Sequence, residues 1–161
     1  MPGLRFEIDL MKKKLRRKKY NPNKFAYSLA DRVSFSDDVK VLYGFRYRIA
    51  IETISAAEEL TQEIKQYFVD LLTMSETVTY LSPQFEETEE IQESARSCAL
   101  AIRDGVNQLR SARRIEKSQT EAMHTVVDYF IAICEAITVK EFKEAVAVAE
   151  GNVKRSLCKK G

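Results

Sequence analysis

All three prolines of this chain, Pro2, Pro22 and Pro83, lie in its first half or just beyond it, and nothing after position 83 breaks a helix by ring closure. Only five glycines accompany them in 161 residues. Strand-and-turn folds need Gly and Pro at their corners, so this scarcity points to long helices.

The clearest helical pattern ends at Pro83. Leu60, Ile64, Tyr67, Leu71, Met74, Val78 and Leu81 recur at alternating spacings of four and three, a heptad seam of the coiled-coil kind. Extended backward through Ala56 and Ile49, it predicts one helix over about 38–81, roughly 65 Å long. Gly44 marks a place where that helix can bend. Ser82-Pro83 reads as an N-cap followed by the first helical residue. Ile91, Ala95, Cys98, Ile102, Leu109 and Ala112 then carry the period to about 115. Two long helices with almost no loop between them must reverse and pack antiparallel. The predicted fold is therefore all-α, a helical bundle built on a long αα-hairpin of 38–81 and 83–115.

Ser118-Gln-Thr-Glu121 has the S-x-x-E form of a capping box. The helix it opens, 119–137, is apolar on nearly every face and is expected to be the most buried element or to lie at a subunit interface. Thr138-Val-Lys-Glu141 is a second such box, opening a short helix that carries Phe142, Val146 and Ala149 and stops at Gly151. At the other terminus, Leu4, Ile8, Met11 and Leu15 form one helical stripe. Asn21-Pro22 opens a short helix to about Ser34 that buries Phe25, Leu29 and Val33, and Ser36-Asp37-Asp38 starts the next. The organisation expected is a basic helical segment over 1–20, a bundle over 21–151 and a basic tail over 152–161.

The apolar fraction of 45% and the charged fraction of 31% belong to a chain that folds around a core. The three cysteines are odd in number and show no CxxC spacing. Cys98 and Cys134 sit in apolar stripes, as small hydrophobes do, which suggests a reduced, cytoplasmic protein. The longest apolar run, Tyr129 to Cys134, is far too short to span a bilayer. Glu7, Asp9 and the lack of an apolar h-region do not resemble a secretory leader.

Signals for chemistry are thin. Glu121 and His124 have the Glu-x-x-His spacing of di-iron bundles, but such sites need two copies and this chain has one histidine. His124, Asp128 and Ser118 lie on a single helix and cannot converge as a triad must. No phosphate-binding glycine motif occurs. No catalytic residue, metal or cofactor is expected.

Charge segregation is more informative than the net +2. Residues 1–48 hold 13 Lys/Arg against 5 Asp/Glu, residues 49–109 hold 3 against 12, and residues 110–161 hold 10 against 7. The run Lys12, Lys13, Lys14, Arg16, Arg17, Lys18 and Lys19 is interrupted only by Leu15. Arg46 and Arg48 interleave with Tyr43, Phe45 and Tyr47, rings that suit a stacking platform for bases or, more simply, packing beneath neighbouring helices. Arg96, Arg103, Arg110 and Arg114 share a helical stripe. With the hairpin turning at Ser82-Pro83, Arg46 and Arg48 should approach Arg110, Arg113, Arg114 and Lys117. Arg103 should pair with Glu59 or Glu63, and Arg96 with Asp70. The open end would be basic and the closed end acidic.

These patterns suggest a non-enzymatic structural or adaptor subunit, self-associating or part of a larger complex, that touches nucleic acid phosphates through its basic end. The alternative partner is an anionic membrane surface, met by residues 4–19 as a basic amphipathic helix. An enzyme with a pocket inside the bundle is a third reading. No small-molecule substrate is expected.

Overall fold

In the computed structural model, the described residues are 15–18 and 37–158, the side chains of 37–40 and 158 lying outside that description. The helix expected over 22–34 falls outside it too, as does all but residues 15–18 of the one expected over 4–19. Five helices form among the described residues: α1 Asp37–Ala56, α2 Gln62–Leu81, α3 Thr88–Arg110, α4 Lys117–Ala136 and α5 Val139–Cys158. Among the described residues the only extended pairing is an isolated antiparallel bridge between Arg17 and Phe85. The all-α bundle predicted from the sequence is what the chain forms.

The long first arm is two helices, not one. The chain leaves the helix after Ala56 and restarts at Gln62, where the Thr61 hydroxyl caps the new helix by accepting from the Ile64 amide at 3.2 Å. The apolar phase explains the break. At about 100° per residue, Ile51 and Leu71 would project from nearly opposite sides of one unbroken helix. Both are fully buried here, because the turn at 57–61 re-aims the second segment into the same core. The heptad seam from Ile64 to Leu81 lies in α2, and its first member, Leu60, falls in the turn before it.

Helix α2 packs against all four others, α4 against α1, α2 and α3, and α5 lies along α2. Ser75 donates to the Ala95 carbonyl at 3.1 Å, and Phe68 lies beside Gly105, which sets the α2–α3 register. Gly44 lies inside the continuous helix α1. A Cβ there would lie 2.8 Å from Cδ1 of Ile131, so the glycine lets α1 approach α4 closely. As the sequence suggests, α4 is the most enclosed helix, with Met123, Val126, Val127, Tyr129, Phe130 and Ile133 all buried. Each such side chain contributes about 1.5–3 kcal/mol when withdrawn from water. Cys98 and Cys134 are buried among them.

The helix ends differ in detail from expectation. Ser82-Pro83 opens a 3₁₀ turn, Ser82–Gln84, and α3 begins six residues later at Thr88. Ser82 donates back to the Thr79 carbonyl at 2.7 Å and so closes α2 rather than capping α3. The capping box of α4 is Glu116 with Gln119, two residues before the one predicted, because Ile115 is buried and fixes the entry of the helix. The box at Thr138 and Glu141 forms as predicted, with reciprocal bonds of 3.2 and 3.1 Å. Helix α5 continues through Gly151 to Cys158, since Ala145, Ala149 and Val153 prolong its buried stripe beyond the glycine.

Candidate functional site

The predicted basic residues divide by their partners. Lys12, Lys13, Lys14 and Lys19 lie outside the described residues. Residues 15–18 are extended, not helical, with Leu15 and Arg17 turned inward and Arg16 and Lys18 outward. They form a strap along the α2–α3 loop: the Lys18 amide donates to the Gln84 carbonyl at 2.9 Å, and the Glu86 amide to the Arg16 carbonyl at 2.8 Å. The period-two alternation overrides helix here because both inward side chains find partners. Leu15 packs on the core, which leaves it unavailable as part of a lipid-binding stripe.

Arg17 enters a slot at the top of the bundle. Its guanidinium donates to Glu141 Oε2 at 2.7 Å, to the Ala136 carbonyl at 3.1 Å and to Gln84 Oε1. Glu141 is only 4% exposed, so this is a desolvated pair. Arg16 bridges Glu86 at 3.1 Å and Glu87 at 3.0 Å on the surface. Burial would raise the Glu87 carboxyl, but hydrogen bonds from Arg16 outweigh it and hold the group below its ordinary value. Two of the expected phosphate contacts are thus satisfied by carboxylates of the chain itself.

Arg46 and Arg48, expected beside Arg110, Arg113, Arg114 and Lys117, are held by partners on other helices. After the break at 57–61, α1 packs mainly on α4 rather than along α3. Arg46 is exposed and lies 3.8 Å from Asp70. Arg48 points inward to His124 and Asp128 on α4. Tyr43 and Tyr47 pack on Phe130, with ring centroids 6.1 and 5.3 Å apart, and Tyr43 also meets Phe142. Burial pushes the Tyr47 hydroxyl well above its usual range. Of the aromatic set, only Phe45 faces outward.

The expected cross-hairpin ion pairs are replaced by local ones. Arg96 pairs with Glu93 at 2.6 Å, and Arg103 lies 3.5 Å from Asp104. The six-residue reversal shifts α3 relative to α2, so the predicted partners fall out of reach. What remains of the basic end is the turn between α3 and α4. Arg110, Arg113, Arg114 and Lys117 are all exposed there. Arg114 makes a long contact of 3.5 Å to the Ser55 carbonyl, and Lys117 lies 3.9 Å from Glu121.

Two features escaped the sequence. His124 is half-buried and enclosed by Arg48, Glu52 and Asp128. Its spacing of four from Asp128 was visible, but the arginine reaching it across the bundle was not. The other is an outward apolar stripe on α1: Val41 is 65% exposed, Leu42 65%, Phe45 63% and Ile49 44%. Beside it, Tyr43, Val139, Phe142, Val146 and Ala147 line an open groove of about 400 Å³ between α1 and α5. The stripe was hidden in the sequence because α1 is apolar on two faces, and only the fold says which one is covered.

Among the described residues no three His, Cys, Asp or Glu side chains converge to hold a metal ion, and no helix is long and apolar enough to cross a membrane. Compared with known protein families, with curated proteins and with solved structures, the chain matches none.

Proposed function

We propose that this protein is a non-enzymatic structural or adaptor subunit that self-associates through the outer face of α1. The observation that carries the reading is the stripe of Val41, Leu42, Phe45 and Ile49. Four large apolar side chains on one helix face, rimmed by Arg46 and Glu52, have the composition of an interface core and its polar edge. Isolated exposed hydrophobes are ordinary, whereas a contiguous set at helical spacing suits packing against a second helix. Sedimentation equilibrium at tens of micromolar tests it. Dimers or larger species are expected, with Leu42→Gln and Phe45→Gln together shifting the chain to monomer while its helical circular dichroism is unchanged. A monomeric wild-type chain would remove self-association.

Contact with nucleic acid phosphates is a second reading, favoured by the four exposed cations of the α3–α4 turn. Phosphate binding needs cations free to exchange their counterions, and these meet that requirement better than Arg16, Arg17 or Arg48. The salt dependence of binding tests it.

A further inference from the structure

Helix α1 is tied to α4 by apolar packing and, midway, by a polar joint. One terminal nitrogen of the Arg48 guanidinium lies 2.8 Å from Nδ1 of His124 and 3.2 Å from that residue's carbonyl oxygen. The other donates to Oδ1 of Asp128. A guanidinium carries donors and no acceptor, so Nδ1 must be the accepting nitrogen. That assignment makes the ring neutral, with its proton on Nε2, 3.4 Å from Oε1 of Glu52. Arg48 and Glu52 reach the ring from α1, and Asp128 lies one turn along its own helix. Asp128 is buried, while the side chains of Arg48 and His124 keep 26% and 29% of their surface. Solvent protons can therefore reach the ring without the joint first opening.

An added proton has one place to go. On Nδ1 it sets N–H against N–H and brings two positive charges to a separation of 2.8 Å. The carboxylates of Glu52 and Asp128 offset part of that repulsion, but neither removes the clash of donors. We propose that His124 is an acid-sensitive latch, whose protonation at Nδ1 expels the Arg48 guanidinium and loosens α1 from α4. The latch acts on the helix that bears the apolar stripe, yet it stands whatever that stripe binds.

The sign follows from the ring's surroundings. Burial first, and then the Arg48 charge, hold the imidazole below its ordinary value of 6.5, against the opposite pull of Glu52 and Asp128. The folded value lies below the unfolded one. The joint's contribution is therefore complete above pH 6.5 and is lost as pH falls through the folded value.

His124 is the chain's single histidine, so its ring signals in NMR are unambiguous. A titration of the full chain is expected to show an Nε2–H tautomer at neutral pH and a midpoint below 6.5 that rises in Arg48→Met. Hydrogen exchange of the α1 amides, corrected for intrinsic rates, is expected to lose protection in acid by up to about tenfold per pH unit, the limit for one proton. His124→Asn keeps an acceptor near the Nδ1 position and cannot titrate, so its α1 should lose that acid sensitivity. An Nδ1–H tautomer, a ring titrating at or above 6.5, or acid opening retained in full by His124→Asn would overturn the latch. If the Asn variant fails to fold, the tautomer and midpoint of the wild-type ring decide the matter alone.

Discussion

Ala112 stands at φ 56, the only non-glycine residue with positive φ among those described. It ends α3 in a Schellman arrangement: the Arg113 amide donates to the Gln108 carbonyl at 2.8 Å, and the Ala112 amide to that of Leu109 at 3.1 Å. Helices usually place glycine at this position, because a Cβ in the left-handed region costs about 1–2 kcal/mol. Gly151 is the converse, a glycine inside α5 whose missing Cβ would meet nothing within 4 Å. It spends conformational entropy in the unfolded chain without gaining a close contact. Ala112→Gly and Gly151→Ala should therefore each stabilise the fold by about 1 kcal/mol, raising the Tm by about 2–4 °C for a chain of this size. Calorimetry on the two single variants decides it. An unchanged or lowered Tm for Ala112→Gly would mean that the turn carries no strain worth relieving. Both positions were visible in the sequence, but their meanings were exchanged: Gly151 resembled a helix stop and Ala112 a continuing stripe. Local pattern could not weigh Val153, whose burial carries α5 past its glycine.

At the scale of elements, the strap is the feature whose sequence was most misleading. Seven cations in eight residues suggest a solvated helix awaiting a polyanion, yet Arg16 pairs with the acidic α2–α3 loop and Arg17 with Glu141 at the start of α5. The two pairs differ in kind. Arg16 is fully exposed, and a pair screened by solvent in this way contributes little. Arg17 neutralises a carboxylate that has almost no contact with water, and removing one partner of such a pair leaves a desolvated charge. Because Arg17 keeps 29% of its side-chain surface, the full cost of about 3–5 kcal/mol is an upper bound, and roughly 2 kcal/mol is expected for Arg17→Ala. Arg16→Ala should leave stability nearly unchanged. Urea titrations of both variants check the contrast, and equal small effects would show that Glu141 does not depend on the strap. Adding Glu141→Gln to Arg17→Ala should recover part of the loss, since the unpaired charge is then gone. The break between α1 and α2 teaches the same lesson from the apolar side. Each seam was legible, but the phase jump between Ile54 and Ile64 shows only when the two are set on one helical wheel.

For the whole molecule, the charge segregation read from the sequence survives, whereas the surface it was expected to build does not. The acidic stretch lies at the α2–α3 loop and is partly neutralised by the strap, while Arg48 is drawn into the α1–α4 joint. Convergence of distant arginines depended on the length and direction of one helix, and that helix is broken. The basic turn of Arg110, Arg113, Arg114 and Lys117 needs only local sequence, so it remains. This difference sets the expected salt dependence of binding to a nucleic acid. Four phosphate contacts predict a slope of log K against log salt of about −3 for a single strand and about −4 for a duplex. Contacts from the 12–19 run as well would steepen the slope by almost one for each lysine engaged. Replacing Arg110, Arg113, Arg114 and Lys117 by Gln should flatten the slope nearly to zero if the turn acts alone. Replacing Lys12, Lys13, Lys14, Lys18 and Lys19 should then leave it unchanged. Thermal stability should hardly move in the first variant, because the contacts of Arg114 and Lys117 are long and exposed. Fluorescence anisotropy with a labelled oligonucleotide between about 50 and 200 mM salt reads each slope. A slope governed by the lysine set would move the interface to the N-terminal run. No binding even at the lowest salt would remove nucleic acid as a partner and leave the α1 face to carry the protein's interactions.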